Sequence, residues 1–292
     1  AIGGEIRVMD LETALMLKRR GYIIIPDPEE KTVQEAFREG VFKSFERHSR
    51  VGMPTEREFL EGIDWLREQG AKKVTLKTGA YRPSVVAFTM KLASEAKIDA
   101  VTFDGAGGGT GMSPVPMMDE MSTPTVYLET QVLKCIEILR RKGRHVPDII
   151  MAGGFMEETQ MFKAIAMSNF GHGPYVKAIL MARAPLTAVM KSSYFVELAR
   201  EGKLPKAFAE QYGTIPDQFF IAAPELRERY GEMFKGIPWE AVGLYSYLNG
   251  RIKVGLQQLM AGARKWRLNL LDRGDIVSLS ERAARVTGIP LI

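Results

Sequence analysis

Short apolar segments alternate with amphipathic helices through the middle of the chain, and this alternation constrains the fold more than any other feature. Four strand-like segments follow one another, at 72–77, 100–103, 148–152 and 175–181, and each runs into glycine or other small residues. Strands that are buried on both faces need no polar alternation, and a helix between two successive strands makes them parallel. The pattern therefore predicts an α/β fold built from βαβ units.

Helical spacing of apolar residues fills the gaps between these strands. The segment 56–69 starts with Thr55 and Glu58 in the positions of a capping box, and 84–96 places Val85, Phe88 and Leu92 on one face. The other predicted helices are 129–142, with Val132, Cys135, Ile136 and Leu139 inward, and a segment with Met161, Phe162, Ile165 and Ala166 inward. These helices have the spacing that crossover connections require.

The length of 292 residues is enough for a (β/α)₈ barrel, which takes about 250 residues. The segment 22–25 adds a fifth strand, and only five or six strands are supported by the pattern. We therefore predict a TIM-type barrel, complete or partial, over residues 1–189. Residues 190–292 are predicted to form a mostly helical region that packs on the barrel, with an apolar face near its end that includes Leu256 and Met260.

Composition excludes several classes of protein. A single cysteine excludes an internal disulfide or a thiolate metal site, and the three histidines lack metal-ligand spacing. No apolar run reaches 18 residues, so no membrane partner is expected. The basic segment 140–145 falls where a helix is predicted to end, and cations there interact favourably with the helix dipole. This explanation is favoured over a nucleic-acid site. We expect a cytoplasmic protein without a nucleic-acid partner, and Cys135 as a core thiol.

The segment that begins at Asp104 and runs to Pro114 is dense in glycine and directly follows a predicted strand. A glycine-rich backbone can approach an anion or a flat ring closely. A loop without a ligand is the alternative. The segment is not a dinucleotide fingerprint, because no helix is predicted to start within it.

Small residues also end the next two predicted strands, at Gly153-Gly154 and at Ala182-Arg183. Backbone N–H groups at such loops hold phosphate in barrels, and Arg183 could add a charge-assisted hydrogen bond. Close packing at a turn is the alternative for each loop.

Lys77, Glu129 and Gln131 are the polar side chains next to these strand ends. Lys77 closes an apolar strand, where a cation can stabilise developing negative charge, although a surface lysine is the alternative. Glu129 and Gln131 are predicted to open a helix. A carboxylate there could donate a proton or could simply favour the helix dipole.

These residues together resemble the FMN-binding domain of the glutamate synthase family, and more closely the C-terminal part of its stand-alone prokaryotic members, over roughly residues 45–185. The resemblance rests on an ordered set: Thr75-Leu76-Lys77, the Gly108-Gly109-Thr110-Gly111 loop with Ser113-Pro114, Leu128-Glu129-Thr130-Gln131, Ala152-Gly153-Gly154, and the strand end at 175–183.

The resemblance implies a (β/α)₈ barrel with FMN across its mouth, and reduction of 2-iminoglutarate formed from 2-oxoglutarate and ammonia. Lys77 and Glu129 would then be catalytic residues, and Ser113 and Gln131 would contact substrate. The implied FMN contacts are Lys77, Asp104, Gly108, Gly109, Thr110, Gly153, Gly154, Ala182 and Arg183. Glutaminase and electron-donor subunits, ferredoxin or NADPH-dependent, are implied as partners in an oligomer.

The chain departs from the family pattern at several places. Ala106 and Gly107 stand where the family has a His-Asp pair, and no cysteines follow the last strand, so no iron–sulfur cluster is expected on this chain. Two other hypotheses therefore stay open. The loops could grip a phosphorylated metabolite in a barrel enzyme without flavin, or the chain could be a non-catalytic subunit of a larger flavoenzyme.

Overall fold

The computed structural model describes residues 5–48, 55–106 and 120–292. The chain divides into two compact units, Ala1–Gly154 and Phe155–Ile292. The first unit contains strands and helices, and most of the second unit is helical. No helix among the described residues is long and apolar enough to cross a membrane.

The first unit begins with a small antiparallel sheet. Strand β3 lies between β1 and β2, and helices α1 and α2 connect the three strands in chain order. The elements are β1 (Glu5–Val8), α1 (Leu11–Arg19), β2 (Ile23–Ile25), α2 (Lys31–Arg38) and β3 (Ser44–His48). Ile24 and Phe45 lie in a small core of their own. The predicted strand at 22–25 therefore exists, but it pairs antiparallel instead of extending the parallel sheet.

The rest of the first unit consists of parallel βαβ units, as the alternation predicts. Strand β4 pairs with β5, and β5 pairs with β6, all parallel. The elements are α3 (Glu56–Glu68), β4 (Thr75–Gly79), α4 (Pro83–Glu95), β5 (Ala100–Asp104), α5 (Thr125–Arg141) and β6 (Asp148–Ala152). The central strand β5 is buried from Val101 to Asp104, which explains its nearly continuous apolar sequence.

The helices of this unit confirm some predicted details and correct others. The capping box at Thr55 and Glu58 is present. The predicted helix at 84–96 is present as α4, but its most buried residues include Val86 and Met90; of the predicted face, Leu92 is buried, Val85 is partly buried and Phe88 is 38% exposed. This helix is apolar around much of its circumference, and the spacing of apolar residues alone therefore leaves its rotation undetermined.

The second unit contains one of the predicted strands and a long series of helices. Its elements are α6 (Glu158–Met167), β7 (Val176–Leu180), α7 (Arg183–Arg200), α8 (Lys206–Tyr212), α9 (Pro216–Phe219), α10 (Ala223–Tyr230), α11 (Trp239–Tyr245), a π-helix (Ser246–Lys253), α12 (Val254–Gly262) and α13 (Glu281–Thr287). The helical tail is confirmed, and its first helix begins at Arg183. Closure of the strands into an eight-stranded barrel, and the boundary at 189/190, stay predictions.

Candidate functional site at the carboxyl edge of the parallel strands

The register of the parallel strands aligns the ends of β4, β5 and β6. Gly79 lies opposite Asp104, and Asp104 lies opposite Ala152. The segments that follow the three strands therefore leave from the same edge of the sheet. In parallel α/β folds, ligands bind at this edge, and it is the edge at which the sequence places Lys77, Asp104 and Gly153-Gly154.

Lys77 and Asp104 form a salt bridge at this edge. The Lys77 Nζ lies 2.8 Å from Oδ2 of Asp104, and the two side chains are 39% and 6% exposed, respectively. Lys77 pairs with Thr102, which is two residues before Asp104, and residues two apart on a strand share a face. The register therefore brings the ammonium diagonally onto the buried carboxylate. Lys77 is thus an exposed lysine with a specific buried partner, and its role toward a ligand stays a prediction.

Two glycines let the loops after β5 and β6 pack together. The Gly105 N–H donates to the Ala152 carbonyl at 2.8 Å, and the Thr125 hydroxyl donates to the Gly153 carbonyl at 2.7 Å. A Cβ on Gly105 would lie 2.1 Å from Oγ1 of Thr125, and a Cβ on Gly153 would lie 2.5 Å from the backbone nitrogen of Gly105. Gly153 also has φ +100°, a conformation that favours glycine. Both glycines are therefore needed for packing, whatever they bind.

Gly154 differs from its neighbours at this junction. Its φ is +78°, and a Cβ placed there would have no atom within 4 Å. The backbone at Gly154 thus has a conformation that would be strained for any other residue. Close packing does not explain the glycine, because the space beside it is open. An open glycine at the carboxyl edge is accessible to an anion, which fits the predicted phosphate contact better than Gly153 does.

The segment that leads into α5 crosses both neighbouring strand ends. The Thr123 N–H donates to the Ala80 carbonyl at 2.9 Å, and the Thr123 carbonyl accepts from the Ala106 N–H at 3.0 Å. The ring of Tyr81 lies against Gly79, because a Cβ there would be 3.5 Å from the ring. Burial raises the pKa of the Tyr81 hydroxyl, which therefore keeps its proton at neutral pH.

Tyr81 and Thr125 are the residues that the sequence analysis missed at this edge. A polar aromatic residue two positions after a strand end was the available signal for Tyr81. Nothing in the sequence indicated that Thr125 bonds the second glycine loop, because the two are 28 residues apart.

The helix that carries Glu129 and Gln131 begins earlier than predicted. It starts at Thr125 after Pro124, so Glu129 lies in its second turn and does not open the helix. The prediction that the helix dipole favours the Glu129 carboxylate at a helix start is therefore wrong. Glu129 is also buried, with 2% of its surface exposed. Oε1 of Gln131 is buried without a hydrogen-bond partner among the described residues.

The remaining predicted contacts are either outside the described residues or part of the second unit. Gly108, Gly109, Thr110 and Ser113 fall outside the described residues. Ala182 is the N-cap of α7 and Arg183 is its first residue, and both are exposed residues of the second unit. Their convergence with Gly154 on one phosphate stays a prediction.

Comparison with known proteins agrees with the family resemblance over part of the chain. A search of curated proteins finds no match. Residues 46–178, just under half of the chain, match the family model described as a conserved region in glutamate synthase. This segment includes Lys77, Asp104, Gly153 and Gly154 and ends before Ala182. The segment that carries the salt bridge and the paired glycine loops is therefore similar to the conserved region of glutamate synthase.

Proposed function

We propose that the chain is an FMN-dependent oxidoreductase of glutamate-synthase type, which reduces a 2-imino acid formed from a 2-oxo acid, 2-oxoglutarate, and ammonia. The family match over residues 46–178 supports a glutamate-synthase-related oxidoreductase. The salt bridge between Lys77 and Asp104 at the carboxyl edge is the observation that carries the proposal to a specific site.

The residues at this edge fit FMN in two respects. Lys77 is a cation that is held by its carboxylate partner yet is 39% exposed, so a ligand can reach it. Gly154 presents an open backbone with positive φ, which suits a phosphate contact. In the proposal Gly153 supports this loop by packing, Ala182 and Arg183 add to the phosphate grip, and Asp104, Gly108, Gly109 and Thr110 line the flavin.

FMN, when bound, supplies the hydride for the reduction, and the chain supplies charge and orientation. An ammonium has three N–H donors. At Lys77, one is directed to Asp104, and the others remain for a substrate carboxylate or for negative charge on the cofactor. Because Asp104 fixes the ammonium in advance, little reorganisation is needed when charge develops.

Neutral hydrogen-bonding groups complete the proposed pocket. The Tyr81 hydroxyl, whose ring lies against Gly79 and whose pKa burial raises further above neutrality, is a proposed hydrogen-bond donor. Oε1 of Gln131 can accept a hydrogen bond from a substrate amino or imino group. Glu129 and Ser113 are proposed polar contacts to the substrate side, and Glu129 is the proposed proton donor.

The reaction needs reducing equivalents and ammonia from other proteins. We propose a ferredoxin or an NADPH-dependent subunit as electron donor and a glutaminase subunit as ammonia source. Both proposals rest on the family resemblance alone.

Flavin binding is the first test. The purified chain is titrated with FMN by calorimetry, and its visible spectrum is recorded before and after anaerobic reduction, with flavin absorbance expected near about 450 nm. Lys77→Met is expected to weaken FMN binding or imine reduction at least about tenfold, because it removes a charge-assisted hydrogen bond. Lys91→Met is the matched control, since Lys91 pairs with Glu56 on exposed surface. A chain that takes up no FMN contradicts the proposal.

A barrel enzyme that uses Lys77 as an imine-forming nucleophile is the competing function. Such a lysine needs its Nζ free to form a bond to a carbonyl carbon, whereas Nζ of Lys77 is held 2.8 Å from Oδ2 of Asp104. Borohydride treatment with 2-oxoglutarate is therefore expected to leave the mass of the chain unchanged. A covalent adduct on Lys77 would favour the competing function.

A further inference from the structure

The second unit contains a cavity formed by its own helices. The cavity has a volume of about 670 Å³ and is lined by residues of α6, α7, α8, α9, α11, the π-helix and α12, and by the loop after α9. Small-molecule sites have volumes of about 300–1,000 Å³. The size of this cavity is therefore that of a ligand site, and the family resemblance assigns no role to its lining residues.

One wall of the cavity is a cluster of aromatic rings. Phe195 stacks on Phe208 with centroids 4.8 Å apart, and Phe208 contacts Phe219 edge-on at 5.5 Å. Phe219 in turn contacts Phe220 at 4.9 Å. The four rings are only partly buried, so apolar ring surface faces the cavity. Such a wall binds the apolar body of a ligand.

The lining also includes the π-helix, which contributes Tyr247, Gly250 and Arg251. π-helical turns are rare and often lie at functional sites. A Cβ on Gly250 would lie 2.7 Å from the Ile221 side chain, so the lining also depends on a glycine. The Tyr247 hydroxyl donates to the Met156 carbonyl at 2.7 Å and thereby fixes its ring.

Two cations lie at the polar part of the cavity. Arg251 is 57% exposed, and its guanidinium faces two carboxylates, with Nε 3.5 Å from Oε2 of Glu158 and Nη2 3.6 Å from Oε2 of Glu157. Lys191 is exposed and lies 5.1 Å from the centroid of the Tyr194 ring. Within the part of the chain that the structure describes, Lys191 has no acidic partner, and neither cation donates a hydrogen bond. Both therefore have N–H donors available to a ligand.

The single lining carboxylate is less available than the cations. Oε2 of Glu158 is buried, and the guanidinium of Arg251 already faces it. The backbone of Gly255 packs against the Glu158 side chain, because a Cβ there would lie 2.6 Å from its Cγ. A ligand carboxylate is therefore expected to contact Lys191 and Arg251 rather than Glu158.

We propose that this cavity binds an organic carboxylate with an apolar body, the body against the aromatic rings and the carboxylate on Lys191 and Arg251. The apolar body is either a medium-length acyl chain or a fused aromatic ring. Apolar lining with a few convergent polar groups is the usual composition of a small-molecule site, and Arg and Lys are the residues that bind carboxylates.

The test uses the full chain and calorimetric titration with decanoate and with 2-naphthoate, each below the concentration at which it self-associates. Both acids are expected to bind at one site per chain, and the tighter of the two identifies the body as acyl or aromatic. Decylammonium, with the same chain as decanoate and the opposite charge, is expected to bind at least about tenfold more weakly. Equal affinity for the amine overturns the proposal. The proposal is also overturned if neither decanoate nor 2-naphthoate binds.

Charge variants locate the site. Lys191→Gln combined with Arg251→Gln is expected to weaken decanoate binding at least about tenfold, since both charge-assisted contacts are lost. Lys206→Gln, at a lysine side chain that is 89% exposed and outside the cavity, is the control and is expected to change the affinity less than about twofold. All three positions are exposed, so these variants should fold. Unchanged affinity in the double variant overturns the assignment.

A space-filling variant tests the cavity itself. Ala188→Phe keeps both cations and fills the lining at a half-buried position of α7, and it should abolish binding of both acids. Each titration is repeated in excess FMN, which should leave the affinity for decanoate unchanged. Competition by FMN, or undiminished binding in folded Ala188→Phe, would place the acid elsewhere and overturn the proposal.

Discussion

The salt bridge at the carboxyl edge predicts an asymmetric response to loss of either partner. Lys77→Met leaves a carboxylate that is 6% exposed without its cation, whereas Asp104→Asn leaves an ammonium that is 39% exposed and can turn to water. Removing one partner of a buried ion pair costs about 3–5 kcal/mol, and a half-exposed charge recovers much of its hydration. We expect losses in the free energy of unfolding of about 3 kcal/mol for Lys77→Met and about 1 kcal/mol for Asp104→Asn.

The double variant Lys77→Met with Asp104→Leu completes the comparison. Replacing both charges by apolar groups leaves no buried charge, so its loss should be smaller than that of Lys77→Met alone. Native-state hydrogen exchange of the amides in β4 and β5 measures these free energies where the pair lies. A larger loss for Asp104→Asn than for Lys77→Met would refute the reasoning, and so would a double variant less stable than Lys77→Met alone.

Four further variants or treatments test other parts of the structure. Gly105→Ala should lower the free energy of unfolding by about 2 kcal/mol or more, because its Cβ would clash with a backbone atom as well as a hydroxyl at 2.1 Å. Gly154→Ala, with φ +78° but open space, should cost only about 1 kcal/mol; equal losses in urea unfolding would contradict this difference. Thr55→Ala should cost about 1 kcal/mol at neutral pH, through loss of the helix cap. Hydrogen bonds from the Thr55 backbone and hydroxyl hold the pKa of Glu58 below its usual value of 4.5. The stability that these hydrogen bonds give to the charged Glu58 is therefore present above pH 4.5 and is lost as the pH falls through the lower folded-state pKa. A Thr55→Ala effect that grows in acid would be inconsistent with this. Burial raises the pKa of the Cys135 thiol, so maleimide should label it slowly near pH 7 in the folded chain and quickly in denaturant; fast labelling without denaturant would show an exposed thiolate.

The strand pattern predicted the parallel part of the fold well. The segment 148–152 is β6 from end to end, and the segment 100–103 is β5 without its last residue. These strands are central and apolar, and glycine ends them, so the local signal and the tertiary environment agree. The inward face of α6, with Met161, Phe162 and Ile165, is confirmed for the same reason.

The antiparallel sheet at the start of the first unit was not predicted. β1 and β3 carry charged residues such as Glu5, Arg7 and Glu46, and Phe45 is the one residue of β3 in the buried core among the side chains that the structure describes. Short strands with one buried side chain give almost no periodic signal. Whether such a segment forms a strand depends on pairing partners that are far apart in the sequence, and a single sequence does not specify those partners.

The site was predicted in its composition but not in its contacts. Lys77 and Asp104 were both named from the sequence, yet their pairing depends on the register of β4 and β5. Gly153 was assigned to a ligand, which stays a prediction, and the structure adds a packing role against Gly105. The cavity of the second unit escaped prediction altogether, because its polar residues Lys191 and Arg251 are 60 positions apart and lie on different helices.

Calorimetric titration of the wild-type chain, Lys77→Met and Lys91→Met with FMN tests the central claim most directly. We predict one FMN per wild-type chain, the same affinity for Lys91→Met within about twofold, and at least about tenfold weaker binding or a loss of imine reduction for folded Lys77→Met. FMN that binds and supports imine reduction equally well in all three chains would show that the carboxyl edge at Lys77 and Asp104 is not the flavin site.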